Sequence, residues 1–219
     1  MRMLVSAVLA LGLLIAPLAA KSPSELATFL SKHIIRIHMT GPILDWGTCT
    51  AFGVNKKRGW GITAEHCVVS DQGFDYRVVD DALLPITVLA RSSTIGPPQP
   101  KDDLALITGE IFFDLDSMVA LTIVPTVGSE VATSGFAFGE LRPFFLYTRI
   151  ARAIPEWFTM EMAGGALQGM SGAPVVNKDG LVAGVLTKSS YGHTVVIGSW
   201  HFQELFQHAL QIEESKKDG

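Results

Sequence analysis

From Thr48 to Ile197 the sequence is a succession of short apolar runs, each cut off by Gly, Pro, Asn or Asp before a long helix could form. Thr50–Val54, Gly61–Ala64, Tyr76–Val79, Ile86–Leu89, Leu104–Thr108 and Val119–Val124 come first. Val131–Ser134, Phe144–Ile150, Trp157–Met162, Pro174–Val176, Leu181–Leu186 and His193–Ile197 follow. Short strands at this spacing, with no long amphipathic helix between them, predict an all-β sandwich or barrel. His33–His38 alternates Ile with polar residues and adds a strand at the front.

Only the two ends read as helical. Ser22-Pro23-Ser24-Glu25 offers a cap, a proline suited to the first helical position and a glutamate three residues after the cap, so a short helix to about Lys32 is expected. Phe202, Leu205, Phe206, Ala209 and Leu210 recur at three- and four-residue spacing and predict an amphipathic helix from about Trp200 to Glu214. Ile95–Pro100 reads as a stiff loop, and Gly109–Ser117 as a link between two halves.

Residues 1–20 stand apart. Arg2 is the sole charge before Lys21, the middle is Leu, Ala, Val and Ile, and Leu18-Ala19-Ala20 ends on small residues. That is the layout of a cleaved secretory signal peptide, and the competing reading is an uncleaved membrane anchor broken by Pro17. Export predicts a secreted or periplasmic protein without membrane contact after cleavage, where Cys49 and Cys67 could form a disulfide. A formal charge of −4 supplies no basic face for nucleic acid. Two cysteines exclude a cysteine-rich scaffold and a four-cysteine zinc site, and the histidines show no metal spacing, so no metal and no cofactor are expected.

Three short motifs carry the chemistry. Gly61-Ile-Thr-Ala-Glu-His66-Cys67 ends an apolar strand on a histidine. Lys101-Asp102-Asp103-Leu-Ala-Leu-Ile107 leads a carboxylate into another strand. Gln168-Gly169-Met170-Ser171-Gly172-Ala-Pro174 sets a serine among glycines. Singly each is weak, because such histidines are mostly structural, such aspartates are mostly turn residues and such glycines mostly make turns. Together they supply what hydroxyl activation demands. A serine hydroxyl is a poor nucleophile until an imidazole takes its proton, and the imidazole needs a buried carboxylate to fix its tautomer. Glycines beside Ser171 let backbone N–H groups converge on a developing oxyanion.

On these residues the sequence resembles the trypsin/chymotrypsin-like serine proteases. The family's T-A-x-H-C motif reads Thr63-Ala-Glu-His66-Cys67, its D-[apolar]-A/T-L motif reads Asp103-Leu-Ala-Leu106, and its G-x-S-G-[small]-P motif reads Gly169-Met-Ser171-Gly-Ala-Pro174, in the family's order. The resemblance implies two six-stranded antiparallel β-barrels with the cleft between them: residues 21–112 hold the N-terminal segment and first barrel, residues 113–219 the second barrel and C-terminal helix. It implies His66 as general base, Asp103 as its orienter, Ser171 as nucleophile, and the Gly169 and Ser171 N–H groups as oxyanion hole. Asp102 is the rival to Asp103, and the D-L-A-L match favours the latter. The resemblance also implies a Cys49–Cys67 disulfide, against the alternative of two buried thiols.

Two departures matter. Met170 replaces the Asp that precedes the nucleophile in trypsin itself, so activation through an ion pair to a new N-terminus is excluded. Where Arg/Lys-cutting members carry an Asp, six residues before the nucleophile, this chain has Gly165. A buried cationic side chain would lack a partner there, so cleavage after Arg or Lys is disfavoured. The specificity pocket is expected around Gly165, Ala166, Thr187, Lys188, Ser189 and His193, although the favoured reading of Lys188 is a solvated surface lysine and that of His193 a structural histidine. The expected function is a monomeric exported serine endopeptidase acting on protein or peptide substrates. A catalytically silent protease-fold binding module, or an esterase or acyltransferase on the same triad, are the alternatives.

Overall fold

Ser22 begins the first helix as the motif requires: its hydroxyl accepts from the Glu25 N–H at 3.3 Å, and the Glu25 carboxylate accepts from the Ser22 N–H at 2.7 Å. The computed structural model describes residues 20–40, 45–69, 77–95, 103–121, 125–154, 159–190 and 193–215. Residues 1–19, Asp102 and the Ile95–Pro100 loop beyond Ile95 lie outside them, and no helix among the described residues is long and apolar enough to cross a membrane. Helix α1 is Pro23–Ser31 and helix α2 is Phe202–Ser215, the latter entered through a 3-10 turn at Ser199–His201.

Twelve strands lie between them among the described residues. The first six are β1 (Ile34–Thr40), β2 (Asp45–Asn55), β3 (Trp60–Ala64), β4 (Arg77–Asp80), β5 (Thr87–Arg91) and β6 (Leu104–Thr108). They form one antiparallel sheet in the order β4-β1-β2-β3-β6-β5. The other six are β7 (Glu130–Gly135), β8 (Phe144–Ile154), β9 (Thr159–Ala163), β10 (Pro174–Asn177), β11 (Val182–Ser190) and β12 (His193–Gly198). They close into a barrel in the order β10-β11-β12-β9-β8-β7, with β7 pairing back to β10.

The architecture is the expected mostly-β pair of six-stranded halves, with one difference. The first sheet curls without closing among the described residues. Past β4 the chain turns back on that strand, making a Val79↔Pro85 bridge and an Ile86 N–H bond to the Val78 carbonyl at 2.8 Å. That contact joins β4 to the residues leading into β5, the other edge strand, but does not extend into a ladder among the described residues.

Of Val119–Val124, expected as a strand, residues 119–121 are described and form no ladder, while residues 122–124 lie outside the described residues. Of its described residues, Ala120 makes a single parallel bridge to Val182. β11 begins pairing with β12 only at Gly184, so Val182 has one free edge, and among the described residues it bonds there with Leu121 and Val119.

Apolar side chains fall into three clusters, and alternation along the strands sorts them. In β6, Ala105 and Ile107 face the interior of the first half with Cys49 and Ala51 of β2. Leu104 and Leu106 face the opposite way, into a cluster shared with Phe52, Val176 and Val182 of both halves and with Leu26, Leu30, Phe202 and Leu205 of the two helices. A strand buried on both faces explains why β6 reads as an unbroken apolar run. The third cluster fills the closed barrel and includes Val131, Ile150, Met160, Met170 and Leu186.

Candidate active site

Strand register brings the first two motifs together. β3 and β6 are antiparallel with Ala64 opposite Leu104, and the ladder continues one step through the Glu65 N–H to the Asp103 carbonyl at 3.1 Å. β3 then stops, because Glu65–Cys67 turns into a single 3-10 turn closed by the Val68 N–H on the Glu65 carbonyl at 2.9 Å. This places the Asp103 carboxylate under His66. Its Oδ1 accepts from the His66 main-chain N–H at 2.9 Å, and its Oδ2 lies 2.8 Å from the ring Nδ1. The Asp103 side chain is 11% exposed and that of His66 is 42% exposed. The carboxylate is therefore sheltered, and the ring is open to a ligand. Glu65, the other buried carboxylate here, is turned away and accepts from the Ser93 N–H and hydroxyl.

Ser171 comes from the second half. The segment Leu167–Ala173 leads into β10 through two residues with positive φ, Gly169 at +92° and Gly172 at +85°. A side chain at Gly172 would put Cβ 2.0 Å from the Thr50 carbonyl and 3.0 Å from the Ala64 nitrogen. The halves touch at this residue, next to the serine on one side and two residues from His66 on the other. The Ser171 carbonyl accepts from the Thr50 N–H at 2.8 Å. Its hydroxyl donates to the Thr187 carbonyl at 3.3 Å.

The N–H groups of this segment alternate in use. Met170 donates to Leu167 at 3.1 Å and Gly172 to Leu186 at 2.7 Å. Among the described residues, the Gly169 and Ser171 N–H groups make no hydrogen bond. The Gln168 carbonyl accepts from Phe138 N–H at 2.6 Å, and in a trans peptide the Gly169 N–H then points the opposite way. The Met170 side chain is fully buried in the barrel cluster, so the segment is fixed by packing where an ion pair is absent.

Cys49 and Cys67 are joined as a disulfide. Their sulfurs lie near the His66 ring, within a cluster of potential ligands 4.8 Å across, but bonded sulfurs are not thiolates and this is no metal site.

The expected pocket residues divide. Thr187 is buried and holds the Ser171 hydroxyl through its carbonyl. Ala166 donates its N–H to the Thr194 hydroxyl at 2.7 Å, and that hydroxyl donates to the Gly164 carbonyl at 2.9 Å. Gly165 is exposed between them. Lys188 and Ser189 sit on β11 and His193 on β12, with Lys188 opposite Val195, Ser189 opposite Thr194 and Ser190 opposite His193. Two surface grooves, of about 650 and 420 Å³, lie elsewhere and contain none of these residues. Sequence reasoning missed Thr194 and Thr50, which are structural partners of the site's backbone. No motif marks a hydroxyl that bonds only main chain.

Two curled or closed six-stranded antiparallel β-sheets, with a His–Asp pair on one and a glycine-flanked serine on the other, define the trypsin-like class. The family of trypsin-like peptidase domains matches residues 47–185, a span that contains His66, Asp103 and Ser171. The chain belongs to that family, and its enzyme class is serine endopeptidase. No curated protein matches it in sequence. Among solved structures, the fold is similar to a serine endoprotease from Yersinia pestis, with TM-score 0.66 and 13% identity over 87% of this chain and 67% of the other. It is also similar to a protease from M. tuberculosis in its active form, with TM-score 0.66 and 17% identity over 87% of this chain and 88% of the other.

Proposed function

We propose that this protein is an exported serine endopeptidase that hydrolyses peptide bonds through an acyl-enzyme, with His66 as general base and acid, Asp103 as its orienter and Ser171 as nucleophile. The observation that carries the reading is the Asp103 carboxylate, which accepts from both the main chain and the ring of His66. With the Nδ1 proton donated to Asp103, the Nε2 lone pair is free to accept a proton. For attack, the Ser171 hydroxyl leaves the Thr187 carbonyl and turns to Nε2, and its oxygen bonds to the scissile carbonyl carbon as the proton passes to His66. The carbonyl oxygen becomes an oxyanion facing the Gly169 and Ser171 N–H groups, whose lack of other partners among the described residues supports this role. His66 then gives the proton to the departing amine, and water repeats the sequence on the ester.

Substrates are proteins or peptides, and Gly165 supports a preference away from Arg and Lys. Export to the periplasm or the medium is supported by the apolar leader and by the disulfide, which persists in oxidising compartments. Replacing Ser171 with Ala is expected to abolish peptide hydrolysis while leaving the unfolding transition in place. Turnover at the parental rate would refute the mechanism. One observation favours a second reading, a protease-fold binder that does not cut: the Ser171 hydroxyl is held by Thr187. Labelling of Ser171 by a fluorophosphonate supports the peptidase, and absence of labelling up to mildly alkaline pH supports the binder. Parallel peptide and ester substrates separate an endopeptidase from an esterase.

A further inference from the structure

An oxyanion hole acts at full strength only if its donors are aimed before the substrate arrives. Met170 offers no ion pair for that task, so some other group must hold the peptide planes on either side of it. The geometry points to Thr50 as that group: a positioning residue, donated by the first half, that pre-forms the oxyanion hole of the second. This rests on the assignment of the Gly169 and Ser171 N–H groups as the hole.

Alternation along β2 is the origin. Cys49 and Ala51 face the interior of the first half, so Thr50 faces the second. Thr50 is fully buried, and every hydrogen-bonding group it has is engaged. Its N–H donates to the Ser171 carbonyl at 2.8 Å. Its hydroxyl donates to the Gly169 carbonyl at 3.1 Å and accepts from the Phe136 N–H at 3.1 Å. Its carbonyl accepts from the Thr63 hydroxyl at 2.7 Å, on β3, the strand that ends two residues before His66.

The Phe136 bond matters because Phe136 opens the turn that holds Gly169 in place. The chain reverses at Ala137–Gly139, and Phe138 returns an N–H to the Gln168 carbonyl at 2.6 Å. Gly169 is thereby clamped on both sides, its preceding carbonyl by Phe138 and its own by Thr50. Its Cα is also pressed against the Phe136 carbonyl, which a Cβ would approach to 2.3 Å. The Thr50 hydroxyl is the common point of this ring of bonds. It takes part in no proton transfer and touches no substrate.

The test compares Thr50→Val, which keeps the shape and the N–H bond but removes the hydroxyl, with Thr50→Ser, which keeps the hydroxyl. Both are measured for kcat and KM on a peptide ester, for inhibition by a peptide aldehyde and for melting temperature. Misaimed donors cost less than a deleted one, so Thr50→Val is expected to lower kcat about 10- to 100-fold, with KM within about two-fold. Aldehyde affinity should fall by a similar factor, and Thr50→Ser should restore most of both. A folded Thr50→Val enzyme with kcat within about two-fold of the parent overturns the proposal, as does equal loss in Thr50→Ser. If the valine protein does not fold, Thr50→Ala takes its place under the same criteria. Ser171→Ala separates the failures: if it keeps activity, the peptidase mechanism is at fault, and if it is dead while Thr50→Val is unimpaired, only the role of Thr50 is.

Discussion

Met170→Asp moves the chain toward the pattern of trypsin itself and is expected to damage it severely. The Met170 side chain is fully buried in the barrel cluster with Ala137, Leu186 and Val196. Losing that apolar burial costs about 2 kcal/mol at any pH. The carboxyl adds a second cost. The first described residues bring no cation to it, with the Lys21 N–H on the Lys178 carbonyl and its ammonium on the Asp179 carbonyl. A buried, unpaired carboxyl titrates some 3 to 5 units above its usual value of about 3.9. Its folded-state pKa is raised, so the unfolded chain ionises first and stability falls as pH rises between the two values. The slope is about 1.4 kcal/mol per pH unit. At pH 7 the ionic part is therefore about 4 kcal/mol and the total about 6 kcal/mol, whereas at pH 4.5 the total is about 3 kcal/mol. Urea unfolding followed by tryptophan fluorescence, variant against parent at both pH values, measures the difference directly. Met170→Leu is the control, expected to cost less than about 1.5 kcal/mol without pH dependence. A Met170→Asp deficit that is the same at both pH values would refute the reasoning, because it would mean that the carboxylate has reached solvent or found a cation.

Two further perturbations address the first half. Replacing both Cys49 and Cys67 with Ala opens an 18-residue loop and should cost about 3 kcal/mol, read as a lower urea midpoint, and an unchanged midpoint would mean that the cross-link stabilises nothing. Burial acts to raise the Asp81 pKa, but hydrogen bonds from His38 and Arg36 outweigh it and hold the carboxyl below its ordinary 3.8. A depressed carboxyl stabilises the fold above its unfolded value and loses that contribution as pH falls through the folded one. Asp81→Asn should accordingly lower the melting temperature at pH 7 and converge on the parent in strong acid, and an equal deficit at both ends of the range would sink the assignment.

The parts of the site that are legible in the sequence are those fixed by local chemistry. Asp103 can be read because a carboxylate directly before an apolar strand sits at a strand end, and β6 pairs with the strand ending before His66. Ser171 can be read because its flanking glycines announce a backbone that L side chains rarely adopt, and both have positive φ. Val119–Leu121, the described part of an expected strand, misleads for the complementary reason. Its apolar residues satisfy the composition of a strand, but strand formation also needs a free partner edge, and β11 offers only Val182. Thr50 is invisible because it is one threonine among many until β1 and β2 are in register. Its partners lie 86 and 119 residues away, and no spacing rule reaches that far.

The gap between the legible and the illegible residues reflects where the site lies. His66 and Ser171, the proposed base and nucleophile, come from different halves, so strand propensity in either half cannot determine their separation. The docking of the halves does that, through the shared cluster of Leu104, Leu106, Phe52, Val176 and Val182 and through the bare Cα of Gly172 against Thr50 and Ala64. A shift of the docked sheets by one methyl diameter would leave every strand, turn and cap unchanged and still move Ser171 relative to His66. Productive geometry tolerates about an ångström of error at most. Close-packed interiors resist such sliding, because every displaced side chain loses its partners at once. The apolar faces of β2 and β6 that look toward the second half are thus as much a condition of the chemistry as the histidine and the serine they align.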